Sequence, residues 1–206
     1  MSANNETLSR VLTVALGLCI VCSVVVSTAA VALKPQQEAN KARDLKRNIL
    51  MAGGLYDPER SVEEQFVTIQ PRVVDIDTGL FVGDVDSTSF GQRKSAKDPT
   101  QSRTLSGDED SAKILRRENR AIVYLVNDEA GALDRIILPI RGYGLWSTLY
   151  GFVALESDAN TIVGLGFYEH GETPGLGGEV DNPSWKAKWS GKLAYKNGDV
   201  AISVLK

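Results

Sequence analysis

Two glycine-punctuated segments hold the residues best suited to binding chemistry. Arg141-Gly142-Tyr143-Gly144-Leu145-Trp146-Ser147-Thr148 leads into one apolar run, and Glu169-His170-Gly171-Glu172-Thr173-Pro174-Gly175-Leu176-Gly177-Gly178-Glu179 leaves another. Glycines let a ligand approach the backbone, and here they alternate with aromatic, aliphatic and polar side chains. That mixture suits a flat heteroaromatic ligand such as a flavin ring, which needs apolar faces and hydrogen bonds along its polar edge. Trp146 and Leu176, with Leu145 beside them, are the candidate faces. Glu172 and Thr173, and less directly Thr148, are the candidate edge partners. A carboxylate near the ring would lower the reduction potential by disfavouring an anionic reduced form. Plain glycine turns are the alternative reading of both segments. Neither fits a phosphate-binding P-loop or a G-x-G-x-x-G fingerprint, because Gly175-Leu176-Gly177 runs on into Gly178-Glu179-Val180.

Composition narrows the remaining chemistry. The chain has 206 residues, a formal net charge of −3, one histidine and two cysteines. Cys19 and Cys22 both lie in one apolar run, so the rest of the chain can build no disulfide or zinc–thiolate site. With His170 as the lone imidazole, a multi-histidine metal centre is excluded, and Glu169, Glu172 and Glu179 lack the helical spacing that would make a metal site of it. No basic excess offers a nucleic-acid footprint.

The elements that must position the two segments can be read along the chain. Residues 1–10 precede an uncharged run from Val11 to Leu33. At about 1.5 Å per residue this run crosses a hydrocarbon layer of roughly 30 Å. Its length favours a retained transmembrane helix over a cleaved leader, although Ala30-Val31-Ala32 matches a small-x-small cleavage pattern. Lys34, Lys41, Arg43, Lys46 and Arg47 follow the span and only Arg10 precedes it, which by the positive-inside rule would leave the C-terminal part in the cytoplasm. Pro35 suits the first turn of a new helix, and residues 34–54 read as an amphipathic stalk stopped by Gly53-Gly54. The remainder, 55–206, reads as one antiparallel-rich α+β domain. Ser61 with Glu64 caps a short helix, and a hairpin is expected around Asp77-Thr78-Gly79. Residues 83–110 read as a solvated surface excursion. Strands are expected over 121–126, 136–140, 149–155 and 161–167, the last two joined through Asp158-Ala159-Asn160. Asn182-Pro183 opens a short helix with Trp185 and Trp189 on one stripe, and residues 199–206 read as a terminal strand without its turn.

Several blocks then carry a family resemblance. Leu16-Gly17-Leu18-Cys19 with Cys22-Ser23 and Ser27-Thr28-Ala29-Ala30, Gly144-Leu145-Trp146-Ser147-Thr148-Leu149-Tyr150-Gly151, Gly171 to Glu179, and Asn182-Pro183-Ser184-Trp185 closely resemble the C-subunit family of the bacterial sodium-translocating NADH:quinone oxidoreductase. The resemblance implies one inner-membrane helix, a periplasmic FMN domain and a place in a multisubunit complex that couples electron transfer from NADH to ubiquinone with sodium export. In that family the C subunit relays electrons, which reach its FMN from iron–sulfur-bearing membrane subunits and pass to the B subunit. The glycine–glutamate–threonine–proline–glycine loop alone is also similar to the G subunit of Rnf-type ion-translocating complexes. A membrane-tethered scaffold without redox function is the non-catalytic alternative. The family esterifies the FMN phosphate to a threonine in a Ser/Asp-Gly-Ala-Thr-x-x-Ser/Thr pattern. Asp77-Thr78-Gly79 and Ser106-Gly107-Asp108 do not fit it, so no acceptor is assigned in this chain and a C-terminally incomplete copy is expected.

Overall fold

Alternation of side chains between two buried faces of one interior strand organises the globular part. In the computed structural model, which describes residues 8–203, strand β6 (Thr148–Glu156) sends Phe152 and Ala154 into one apolar cluster and Val153 and Leu155 into another. A strand covered on both faces must be apolar at successive positions, which explains the run Phe152-Val153-Ala154-Leu155. Around it lies a five-stranded antiparallel sheet in the order β1 (Ile69–Asp75), β4 (Arg120–Asn127), β5 (Leu133–Tyr143), β6 and β7 (Ile162–Glu169). The C-terminal end of helix α1 (Leu8–Ala52) supplies Ile49, Leu50 and Ala52 to the first cluster, with Tyr124, Ile137 and Phe152 opposite. Trp185, Trp189 and Ala194 cover Leu155, Ile162 and Leu165 on the other face. The expected α+β class, with one long apolar N-terminal helix, is the observed architecture.

The Asp158 loop forms the β6–β7 hairpin as its residue types require. The Asp158 carboxylate accepts the N–H groups of Asn160 and Thr161, each at 2.8 Å, and Ala159 takes a left-handed φ of 54°. Ser61 caps α2 (Val62–Phe66) by accepting the Glu64 N–H at 3.2 Å, and Asn182 caps α4 (Pro183–Lys186) through the Ser184 N–H at 2.9 Å. Trp185 and Trp189 meet edge to face at 5.4 Å.

Four expectations differ from the structure, wholly or in part. Pro35 does not begin a separate stalk helix, because Leu8–Ala52 is helical throughout with Pro35 inside it. A proline removes one amide donor and displaces one carbonyl, which a long helix can absorb. The Asp77-Thr78-Gly79 turn forms and closes a short hairpin, the Asp75 N–H donating to the Leu80 carbonyl at 2.9 Å and the Val82 N–H to the Val73 carbonyl at 2.8 Å around the Val74–Phe81 bridge, but β1 pairs along its length with the distant β4. Residues 83–110 are not simply solvated. They contain α3 (Gln92–Ser95) and β2 (Ser102–Thr104), which pairs with β3 (Arg116–Glu118), and they bury Ser95, Ala96 and Ser102. Finally, the terminal strand reduces to β9 (Asp199–Val200) against β8 (Tyr195–Lys196), and residues 204–206 lie outside the described ones.

Candidate functional site

The loop between β5 and β6 is a tight hairpin end. The last register pair is Tyr143 with Thr148, and the Gly144 N–H donates to the Ser147 carbonyl at 2.8 Å. This leaves the N–H groups of Leu145, Trp146 and Ser147 pointing to one side without ladder partners, an arrangement that attracts an anion. The Glu172 carboxylate fills it, accepting those three N–H groups at 3.3, 3.1 and 3.2 Å. Glu172 is only 9 % exposed. The Trp146 N–H above all, with those of Ser147 and Leu145, outweighs the effect of burial and holds this carboxyl below its ordinary value of 4.5.

Glycine makes this closeness possible. A Cβ on Gly144 would sit 2.5 Å from Glu172 Oε1, and one on Gly177 would sit 2.8 Å from Oε2. A second tie crosses the loops where the Gly171 N–H donates to Ser147 Oγ at 2.6 Å. His170 braces the outer side, its Nδ1 accepting the Glu172 N–H at 3.3 Å and its Nε2 meeting Asp181 at 2.8 Å. Lys186 also approaches Asp181, at 3.5 Å.

The predicted site residues therefore come together, with one change of partner. Glu172 lies beneath the 144–147 loop and binds its amides. On the two loops it joins, Leu145, Trp146 and Leu176 are 76 %, 67 % and 73 % exposed, so three large apolar side chains face outward around a buried carboxylate. Thr173 is exposed, and its carbonyl accepts the N–H groups of Leu176 and Gly178 at 3.1 and 3.0 Å, which closes the second loop. Thr148 is half-buried at the first rung of β6.

Arg93 and Ser147 carry no role in the sequence reading, and His170 enters it only as a metal-ligand candidate. Arg93 reaches from α3 to the end of β7, donating to both Glu169 carboxylate oxygens at 3.0 and 2.9 Å and to the Tyr168 hydroxyl at 2.9 Å. Phe90, an isolated aromatic in a polar run, was the one signal that this stretch packs on something. A cavity of about 340 Å³ opens between α3 and the sheet, walled by Arg93, Tyr124, Tyr150, Phe152 and Tyr168 among others. None of Leu145, Trp146, Thr148, Glu172, Thr173 or Leu176 lines it. Burial there pushes the Tyr124 hydroxyl up to about 12.

Comparison with known proteins places this geometry. The FMN-binding domain family matches residues 144–203, a stretch that contains both loops. The chain is 52 % identical to the C subunit of the Na(+)-translocating NADH-quinone reductase of Pseudomonas aeruginosa, covering 99 % of this chain and 80 % of that protein. It is 48 % identical to the C subunit from Vibrio vulnificus, with the same two coverages. Among solved structures, Shewanella oneidensis NqrC superposes with a TM-score of 0.75 at 38 % identity, over 81 % of this chain and 77 % of that one. The C subunit from Parabacteroides distasonis gives 0.63 at 25 % identity, over 82 % and 73 %. The chain belongs to the C-subunit family of the Na(+)-translocating NADH-quinone reductase.

Proposed function

We propose that the two loops riveted by Glu172 hold FMN, with Leu145, Trp146 and Leu176 against the ring and Thr173 and Thr148 near its polar edge. The observation that carries this reading is the outward apolar trio of Leu145, Trp146 and Leu176 on loops already fixed from below, within the segment that matches the FMN-binding domain. Exposed apolar surface of this kind asks for a cover, and Gly175, with open space where a Cβ would stand, keeps the backbone low enough for a planar ring to approach. The residues present thus fit the cofactor. FMN, when bound, carries electrons singly or in pairs.

The chain's own residues would orient the ring and keep water from its faces. Glu172 holds the Leu145–Trp146 tip in place through backbone amides, and in this reading it acts as a positioning residue for the ring. Its charge is already shared among three N–H groups, which weakens any direct lowering of the ring's potential.

In the same reading the protein is the electron-relay component of a sodium-translocating NADH:quinone reductase. The helix Leu8–Ala52, long and apolar enough to span a bilayer, would anchor it in the bacterial inner membrane with the FMN domain on the periplasmic side. Its donors would be the iron–sulfur-bearing membrane subunits and its acceptor the B subunit. The relatives described above are all C subunits, so the reading as the G subunit of an Rnf-type complex is not favoured. The test is the visible flavin absorbance of the protein purified from native membranes without denaturation. Flavin bands are expected, and their absence returns the protein to the scaffold reading. Trp146→Ala should also weaken flavin retention and shift the flavin midpoint by at most about 30 mV, the limit reached if an aromatic contact worth up to about 1.5 kcal/mol is made with one oxidation state only, since about 30 mV of a two-electron couple is about 1.4 kcal/mol. Unchanged flavin retention and visible absorbance would remove Trp146 from the ring face.

A further inference from the structure

Strands β6 and β7 carry the two site loops, and below the Glu172 rivet something must fix how far apart they open. The last register pair between them is Tyr150 with Glu169, at a bulge between Tyr150 and Gly151 where the ladder is irregular. Backbone pairing is therefore weakest where the loops diverge. Arg93 occupies that point from outside the sheet. Its guanidinium lies 3.6 Å from the centre of the Tyr150 ring on β6 and forms a two-bond fork with Glu169 on β7, with a further bond to the Tyr168 hydroxyl. One planar cation thus joins both strands, and it does so just before Ser147 on one side and Gly171 on the other, the pair tied at 2.6 Å.

The segment that presents Arg93 is itself fixed. Gln92 Oε1 accepts the Ile122 N–H at 3.0 Å, and Gln92 Nε2 donates to Glu118 at 2.6 Å. Glu118 is buried and pairs with Arg141 at 2.5 Å, so α3 is pinned to β3, β4 and β5 beside the reaching guanidinium. Burial works against the charge of Arg93, but the bonds to Glu169 and Tyr168 outweigh it and keep the group firmly protonated.

We propose that Arg93 is a positioning residue of the flavin site, setting the distance between the Leu145–Trp146 tip and the Leu176 loop. The proposal rests on the FMN reading given above. Only arginine meets the geometry, because a lysine ammonium is a point charge that cannot make the two-bond fork and stack on a ring together. Both partners are about half exposed, so the ion pair contributes little to global stability and its effect is local.

The test is amide hydrogen exchange and flavin absorbance on the detergent-solubilised full-length protein purified from its membrane. Arg93→Ala should speed exchange at the amides of 145–147, 171 and 172 about tenfold and shift the visible flavin bands, with exchange in the centre of β6 unchanged. Arg93→Lys should fall between the wild type and Arg93→Ala, and Tyr150→Phe, which keeps the ring, should match the wild type. Unchanged loop exchange in Arg93→Ala overturns the positioning role and leaves the FMN reading standing. Exchange that rises evenly across the sheet also overturns it, because Arg93 would then be a general stabiliser. A wild-type protein without flavin overturns the parent reading and this proposal with it.

Discussion

Along β6 the means of support changes within a few residues. At Phe152 and Ala154 the strand is packed: Phe152 is 2 % exposed, stacks on Tyr168 at 5.1 Å and meets Tyr124 edge to face at 5.9 Å. From Tyr150 back to Leu145 apolar burial gives way to polar ties, namely Arg93 over Tyr150, Ser147 with Gly171, and Glu172 beneath the loop amides. Apolar packing is indifferent to charge state, whereas hydrogen bonds to a carboxylate depend on it. The difference means that the loop end can loosen while the body of the sheet stays folded, as local openings of low free energy do.

The sharpest break between the regions should come from the packed one. Phe152→Ala removes a buried ring at the centre of the first cluster and should lower global stability by about 3–5 kcal/mol, read as a fall in the urea unfolding midpoint. A loss below about 1 kcal/mol would mean that this face is not the principal core and would undo the comparison.

At the loop end the corresponding change should be local. Glu172→Gln keeps the shape but replaces one carboxylate oxygen by an amide donor facing backbone N–H groups that need an acceptor. The urea midpoint should hardly move, while the amides of 145–147 should exchange roughly tenfold faster. A fall in the midpoint comparable to that of Phe152→Ala would show that the loop rivet and the core are one cooperative unit.

How much of this was legible depended on whether the partner was close in sequence. The β6–β7 hairpin was readable because Asp158, Ala159 and Asn160 complete their own turn, and the Trp185–Trp189 stripe because four-residue spacing fixes a face. The short hairpin at Asp77-Thr78-Gly79 was readable for the same reason, but the turn signal is local and says nothing of β4, on which β1 pairs along its whole length. Glu172 was legible as a residue of consequence. Its partners were not, because nothing in the sequence says that the amides of 145–147 are left without ladder bonds until the hairpin closes at Gly144. Arg93 was hidden deepest, in a polar run whose composition is that of a solvated loop and whose contacts lie on strands far along the chain.

Acid should separate the two regions with the smallest and most graded effect. Glu172 has a folded-state pKa below its ordinary 4.5, so its carboxylate adds stability that is fully present above that value. As pH falls through the depressed folded value the carboxylate takes up a proton, the loop amides lose their acceptor, and the contribution disappears. Below the ordinary carboxylate range, exchange at the amides of 145–147, corrected for its intrinsic pH dependence, should rise before exchange at Phe152 and Ala154 does. Glu172→Gln, which has no proton to gain, should abolish the rise. Should the rise persist in that variant, another acid-sensitive group holds the loops and the contrast between a packed body and a carboxylate-riveted end would have to be redrawn.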